Sequence, residues 1–240
     1  MRAISFYLYR MKLFWPKYPE ALKWLYPNRI SRLDNKKAIY LTFDDGPVPE
    51  VTPWVLEELK KYEAHATFFC IGDNVRKHPE ILERILKEGH AVGNHTFNHL
   101  NGWKTSPQEY IENTLKAEEA MNYSSQQQPK SLSELTSIQL PTPNYPLFRP
   151  PYGRIKNSQA RKLQQLNFRL VMWDVISGDY DQEISAEKCY QNVIKNAVPG
   201  STIVFHDSLK AEKNLREVLP KVLTYYSEKG LKFRSLKDAL

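Results

Sequence analysis

Cysteine is scarce in this chain: among 240 residues there are two, Cys70 and Cys189, far apart and with no C-x-x-C pairing. That excludes a disulfide framework and a cysteine zinc site, and both thiols read as small buried hydrophobes. Long apolar runs are missing as well. No stretch approaches the ~18 residues of a membrane span. The opening MRAISFYLYRMKLFW is broken by Arg10 and Lys12 and has no small-residue cleavage site, so a cytoplasmic location is the expectation. An excess of charge of one sign is missing outside a single segment. The net charge is +7, of which residues 1–33 carry +6, leaving +1 for the rest. Nucleic-acid binding calls for basic residues spread over the folded body, so no nucleic-acid partner is expected. What is present is ample apolar material: 41% hydrophobic residues and 12% aromatics, enough to bury the core of one ordinary globular domain and to exclude a disordered chain.

From residue 38 onward, short apolar runs alternate with amphipathic helical patterns, which predicts strand-helix units and a largely parallel sheet. Seven runs stand out: AIYLTF from Ala38, HATFFCI from His65, HAVGN from His90, LFR from Leu147, FRLVMWDV from Phe168, STIVFHD from Ser201 and LKFRSL from Leu231. One helix should start after Ser106, where Ser-Pro-Gln-Glu supplies an N-cap, a first-turn proline and Glu109 at the capping-box position. Another should run from Pro79, with Ile81, Leu82, Ile85 and Leu86 at helical spacing and Gly89 as a left-handed C-cap. Two stretches break the rhythm. Residues 122–146, rich in Ser, Pro and Gln, read as a surface insertion. Residues 1–35 form a basic, aromatic N-terminal extension, expected to pack against the body spanning 36–240, with contact to an anionic membrane surface as the rival reading.

Asp and His cluster where the expected strands end. In parallel strand-helix folds those ends converge on one face. Asp44 and Asp45 follow the first run, His95 and His99 the third, Arg149 and Tyr152 the fourth and Asp179 the fifth, while His206 ends the sixth. Taken alone, the pair in HTFNH is either structural or metal-ligating. Joined by an aspartate, it suits a zinc-like ion with an open coordination position, where water is activated or a carbonyl polarised. The glutamate of H-E-x-x-H is missing, which argues against a zincin protease. Two histidines and a carboxylate also make the triad of an Fe(II) oxygenase, but that fold is built from strand after strand.

In this order, TFDDGP, HTFNH, RPPYG, WDVISGDY and IVFHD resemble the five motifs of the polysaccharide deacetylase family, the NodB-homology domain. The resemblance covers about residues 36–240. A six-letter string such as TFDDGP arises by chance about once in 10⁷ to 10⁸ positions. It implies a distorted (β/α) barrel of about seven parallel strands and a metal-dependent hydrolase that removes N-acetyl, sometimes O-acetyl, groups from carbohydrates. The partner implied is therefore an N-acetylated glycan. By the same resemblance Asp44 is the general base, and Asp45, His95 and His99 hold one divalent ion: zinc, with cobalt, nickel or manganese as alternatives. Arg149 orients Asp44, and the Tyr152 N–H joins in holding the oxyanion. His206 is the general acid, oriented by Asp179. Pro150 and Pro151 stiffen the RPPYG loop, and Pro150 adjoins the substrate pocket. Tyr180 and Val204 stand where the family has a tryptophan and a leucine, which implies a reshaped acyl pocket. A non-catalytic carbohydrate-binding relative would have lost one of these groups, and all are present. His65, His78 and His90 match no motif and are expected to be structural.

Overall fold

A computed structural model describes residues 15–125 and 146–240. Its centre is a parallel sheet of eight short strands: β1 (Ala38–Asp44), β2 (Thr67–Cys70), β3 (Ala91–Asn94), β4 (Leu147–Phe148), β5 (Arg169–Leu170), β6 (Val175–Ile176), β7 (Thr202–His206) and β8 (Lys232–Phe233). They lie in the order β5-β4-β3-β2-β1-β7-β6, with β8 against the start of β1. The helices are α1 (Glu20–Leu25), α2 (Thr52–Lys60), α3 (Gly72–Lys77), α4 (Pro79–Lys87), α5 (Pro107–Ser125), α6 (Asn157–Gln165), α7 (Ala186–Asn196) and α8 (Glu212–Glu228). The expected N-cap at Ser106 and left-handed C-cap at Gly89 form. Ser106 Oγ accepts the Glu109 N–H at 3.2 Å, and Gly89 takes φ +82° beyond α4, a conformation glycine adopts without a Cβ clash.

All seven residues of β1 are buried, as a central parallel strand covered on both faces requires. Phe43 stacks on Phe68 and Phe205 at centroid distances of 5.0 and 6.0 Å, and Leu56, Leu59, Leu82, Leu219 and Leu223 close over the sheet from the helices. Each such side chain contributes about 2–3 kcal/mol of transfer free energy. Cys70 and Cys189 are both free and buried.

The apolar run from Phe168 becomes two strands rather than one. β5 and β6 sit at opposite ends of the sheet, and residues 171–174 cross between them on the side that would otherwise stay open. Their backbone groups are satisfied by the N-terminal segment: the Ile30 N–H donates to Leu170 O at 2.8 Å, Met172 N–H to Ile30 O at 2.6 Å, Tyr18 N–H to Asp174 O at 2.9 Å and Ile176 N–H to Pro16 O at 2.8 Å. Residues 15–33 thus close the barrel as a strap. The earlier part of the arm and most of the 122–146 segment lie outside the described residues, although its first residues continue α5. Among the described residues, no helix is long and apolar enough to cross a membrane.

Candidate active site

The first and sixth expected strands are neighbours, and their register sets Asp44 opposite His206. Paired strands lie ~4.8 Å apart, so two groups remote in sequence end at one place. Around them the backbone departs from ordinary geometry. Of six non-glycine residues with positive φ among the described residues, four belong to this face: Asp45 (82°), Thr96 (62°), His99 (54°) and Tyr152 (59°). Left-handed backbone costs a β-branched residue such as threonine most, and such conformations persist where the surroundings over-determine them.

The surroundings do so here. Asn94 at the end of β3 accepts the Thr96 N–H at 2.9 Å and donates to Thr114 O at 2.9 Å and Glu118 Oε2 at 3.0 Å. Asn113 accepts the N–H groups of Phe97 and Asn98 at 2.8 and 3.0 Å. These α5 contacts fix the loop that carries His95 and His99. The His95 Nδ1–H donates to Arg149 O at 2.7 Å, leaving Nε2 with its lone pair exposed. That Nε2 lies 3.7 Å from Asp45 Oδ1, and His99 Nε2 lies 3.2 Å from the same oxygen.

Burial lowers the His95 pKa to about 4, so its ring is neutral. Burial alone would raise the Asp45 carboxyl, but the imidazoles of His99, His206 and His95 outweigh it and hold the group well below the usual carboxylate range. Asp45 Oδ1 is buried without a hydrogen-bond partner, and one ligand atom from each of Asp45, His95 and His99 lies within 4.8 Å of the others. A buried carboxylate oxygen without a donor, facing two imidazole nitrogens, is an arrangement that a divalent cation would complete.

Asp44 is held differently. Its Oδ1 accepts Arg149 Nη1–H at 2.6 Å, and that guanidinium is itself 1% exposed, lies over Phe69 at 4.1 Å and donates to Met172 O at 2.8 Å. On the other side, His206 Nδ1 meets Asp179 Oδ1 at 2.8 Å, while Asp179 Oδ2 accepts the His206 N–H at 2.8 Å. Burial would depress the His206 pKa, but the Asp179 carboxylate, with help from Asp45 and Asp44, raises it to about 9. The imidazole is therefore charged at neutral pH. Tyr152 is exposed, with its ring 4.6 Å from that of His99. The Tyr180 ring is 4.8 Å from His206. Val204 is buried in β7, Pro150 is buried, and each lies within two residues of His206 or Tyr152. The other three histidines lie outside this group: His90 Nδ1 accepts the Ala66 N–H at 3.2 Å, His65 packs edge-on against His90, and His78 joins α3 to α4.

Asp207 escaped the sequence reading. Its Oδ1 accepts the Gly46 N–H at 3.0 Å, its Oδ2 accepts Thr52 Oγ1–H at 2.6 Å, and its own N–H donates to Asp44 O at 3.1 Å. A Cβ on Gly46 would lie 2.0 Å from the Asp207 carboxylate. Asp207 therefore clamps the turn that carries Asp44 and Asp45. Burial, reinforced by the Asp45 charge, raises its pKa to about 7. Its place directly after His206 in IVFHD was the available signal.

Comparison with known proteins agrees with this geometry. A family model described as polysaccharide deacetylase matches residues 32–171. A peptidoglycan-N-acetylglucosamine deacetylase of Bacillus cereus is 36% identical over 84% of this chain and 68% of its own length. A chitooligosaccharide deacetylase of Azorhizobium caulinodans is 34% identical over 72% of this chain and 75% of its own. In three dimensions, the crystal structure of a peptidoglycan N-acetylglucosamine deacetylase bound to an N-oxidanyl-benzamide superposes with a TM-score of 0.78 and 32% identity, covering 93% of this chain and 97% of that one. With the five motifs gathered on one face of a barrel shared with that structure, the chain belongs to the polysaccharide deacetylase family.

Proposed function

We infer that this protein is a metal-dependent hydrolase that removes the N-acetyl group from N-acetylated glycans. The observation that carries the reading is the register pairing of Asp44 with His206, each held by its own buried partner, beside an aspartate flanked by two histidines. Asp45, His95 and His99 would hold the ion, and zinc fits their donor set, one carboxylate and two imidazoles. When bound, the ion supplies Lewis acidity, which polarises the amide carbonyl and acidifies water.

The chain's own groups perform the proton transfers. Asp44 accepts a proton from the attacking water as the new C–O bond forms, with Arg149 fixing one carboxylate oxygen and leaving the other free. The N–H of Tyr152, in its left-handed turn, stabilises the charge that develops on the carbonyl oxygen. His206 donates its proton to the nitrogen as the C–N bond breaks, so that acetate and a neutral amine leave. Asp179 orients the ring and keeps it charged. An amide needs this assistance more than an ester does, because an unprotonated amine anion is a very poor leaving group, so the Asp179–His206 pair favours N- over O-deacetylation. Tyr180 and Val204 would shape the space for the acyl methyl.

The test is acetate release from N-acetylated oligosaccharides, peptidoglycan fragments and acetyl esters by metal-stripped protein with and without added zinc. Zinc-dependent acetate from the N-acetylated glycans is expected. Release that is indifferent to metal, or confined to esters, would overturn the reading.

A further inference from the structure

Beside the reaction centre stands a tryptophan that the family motifs do not account for. Trp103 is 60% exposed, four residues after His99. A single exposed aromatic is ordinary by itself; Trp103 stands out because its turn is fixed and a guanidinium lies against its ring. Its position is fixed. The N–H groups of Trp103 and Lys104 donate to Asn101 Oδ1 and O at 3.1 and 3.0 Å. The turn is then tied to the chain that follows Tyr152: the Gly102 N–H donates to Arg154 O at 3.1 Å, and Gln159 Nε2–H donates to Gly102 O at 2.9 Å. A Cβ on Gly102 would meet Arg154 O at 2.4 Å, so only glycine permits this approach. The turn that carries Trp103 is thus tied to the loop that carries the exposed Tyr152, and both loops adjoin candidate metal ligands.

The charge here is one-sided. The Arg154 guanidinium carbon lies 5.2 Å from the centroid of the Trp103 ring, Lys104 is adjacent in sequence, and Lys156 Nζ–H donates to Thr105 O at 2.8 Å. Among the described residues, no carboxylate pairs with any of the three. Across the centre, Lys210 lies over Tyr180 at 5.7 Å, but Asp181 follows that tyrosine, so the excess of positive charge belongs to the Trp103 side.

We propose that Trp103 and Arg154 form a sugar subsite next to the reaction centre that selects N-acetylated glycans bearing a carboxylate over neutral ones of equal length. The indole presents a flat apolar face to the C–H surface of a pyranose ring. The guanidinium, already oriented by that indole, offers paired N–H donors to the carboxylate. The inference rests on the deacetylase reading and names its substrate class.

Its test compares kcat/KM for two tetrasaccharides, a neutral chitooligosaccharide and a peptidoglycan fragment with free lactyl carboxylates. The native protein should prefer the anionic chain. Arg154→Gln should reduce that preference about fivefold, the scale of one partly exposed charged contact. Arg154→Lys should retain part of it, raised salt should lower it, and Arg161→Gln, which removes an exposed cation on α6, should leave it unmoved. Trp103→Ala should raise KM for both chains. A native preference for the neutral chain, or a ratio identical in native protein and Arg154→Gln, would overturn the subsite while leaving the deacetylase reading intact. Absence of acetate from every substrate would overturn both.

Discussion

Two buried aspartates at different places in the barrel show how packing separates a structural carboxylate from a chemical one. Asp174, in the crossing between β5 and β6, has every oxygen engaged: Oδ2 accepts from Lys17 Nζ at 2.8 Å and Ser201 Oγ at 2.5 Å, and Oδ1 accepts from Lys23 Nζ at 2.9 Å. The carboxylate of Asp44, at the end of β1, accepts from Arg149 alone among the described residues, and the neighbouring Asp45 keeps a buried oxygen without a donor. The saturated carboxylate ties the N-terminal strap to the sheet. The unsaturated pair retains capacity to take a proton and to bind a cation, at the cost of desolvation that the fold must offset elsewhere.

The largest effect that sharpens this contrast is the loss of the free carboxylate. Asp44→Asn should lower kcat by about 10³-fold or more, read as acetate release with folding verified by circular dichroism. Next comes the acid side. Since the His206 pKa is raised to about 9, its imidazolium is present at neutral pH and is lost as pH rises through that value, so activity should descend on the alkaline side. A bound cation offsets the Asp45 contribution and moves this descent somewhat below 9. Asp179→Asn should move it further toward the ordinary histidine value and cost about 10²-fold at pH 8, and an unchanged pH profile would break the assignment.

Smaller still is the effect of removing the clamp. Asp207→Ala should cost about tenfold in kcat or in zinc affinity by freeing the Gly46 turn, without abolishing turnover. Least affected is catalysis in Asp174→Asn. That variant should keep kcat within about twofold at 25 °C while its Tm falls by about 5 °C, as expected for ~2 kcal/mol in a chain of this size. Burial would raise the Asp174 carboxyl, but Lys17, Ser201 and Lys23 outweigh it and lower its pKa. Its stabilisation is therefore present above the ordinary carboxylate pKa and lost as pH falls through the lowered one, so native protein and Asp174→Asn should converge in Tm on acidification.

Much of this was legible in the sequence because the motifs are local. TFDDGP, HTFNH and RPPYG each sit on one strand end, and parallel pairing brings them together. What escaped depends on contacts that spacing does not encode. The run from Phe168 reads as one strand because an apolar stretch carries no sign of where pairing stops, and only the strap of residues 15–33 makes the crossing at 171–174 stable. The strap in turn shows no strand alternation, since it donates isolated bonds across a gap rather than forming a ladder. Asp207 looked like the tail of the last motif, and its role appears only when β7 brings it to Gly46 and Thr52. Trp103 lies in none of the motifs, and its place depends on a turn locked against Arg154 that spacing does not encode.

The central claim is that two adjacent aspartates divide the work, Asp45 holding the cation and Asp44 moving the proton. Zinc affinity by titration calorimetry, measured beside acetate release on Asp44→Asn and Asp45→Asn, tests it directly. The account predicts that Asp44→Asn binds zinc within a few-fold of the native protein yet releases almost no acetate, whereas Asp45→Asn loses zinc affinity by about 10²-fold or more. Equal loss of zinc in both variants, or sustained acetate release by Asp44→Asn, would contradict it.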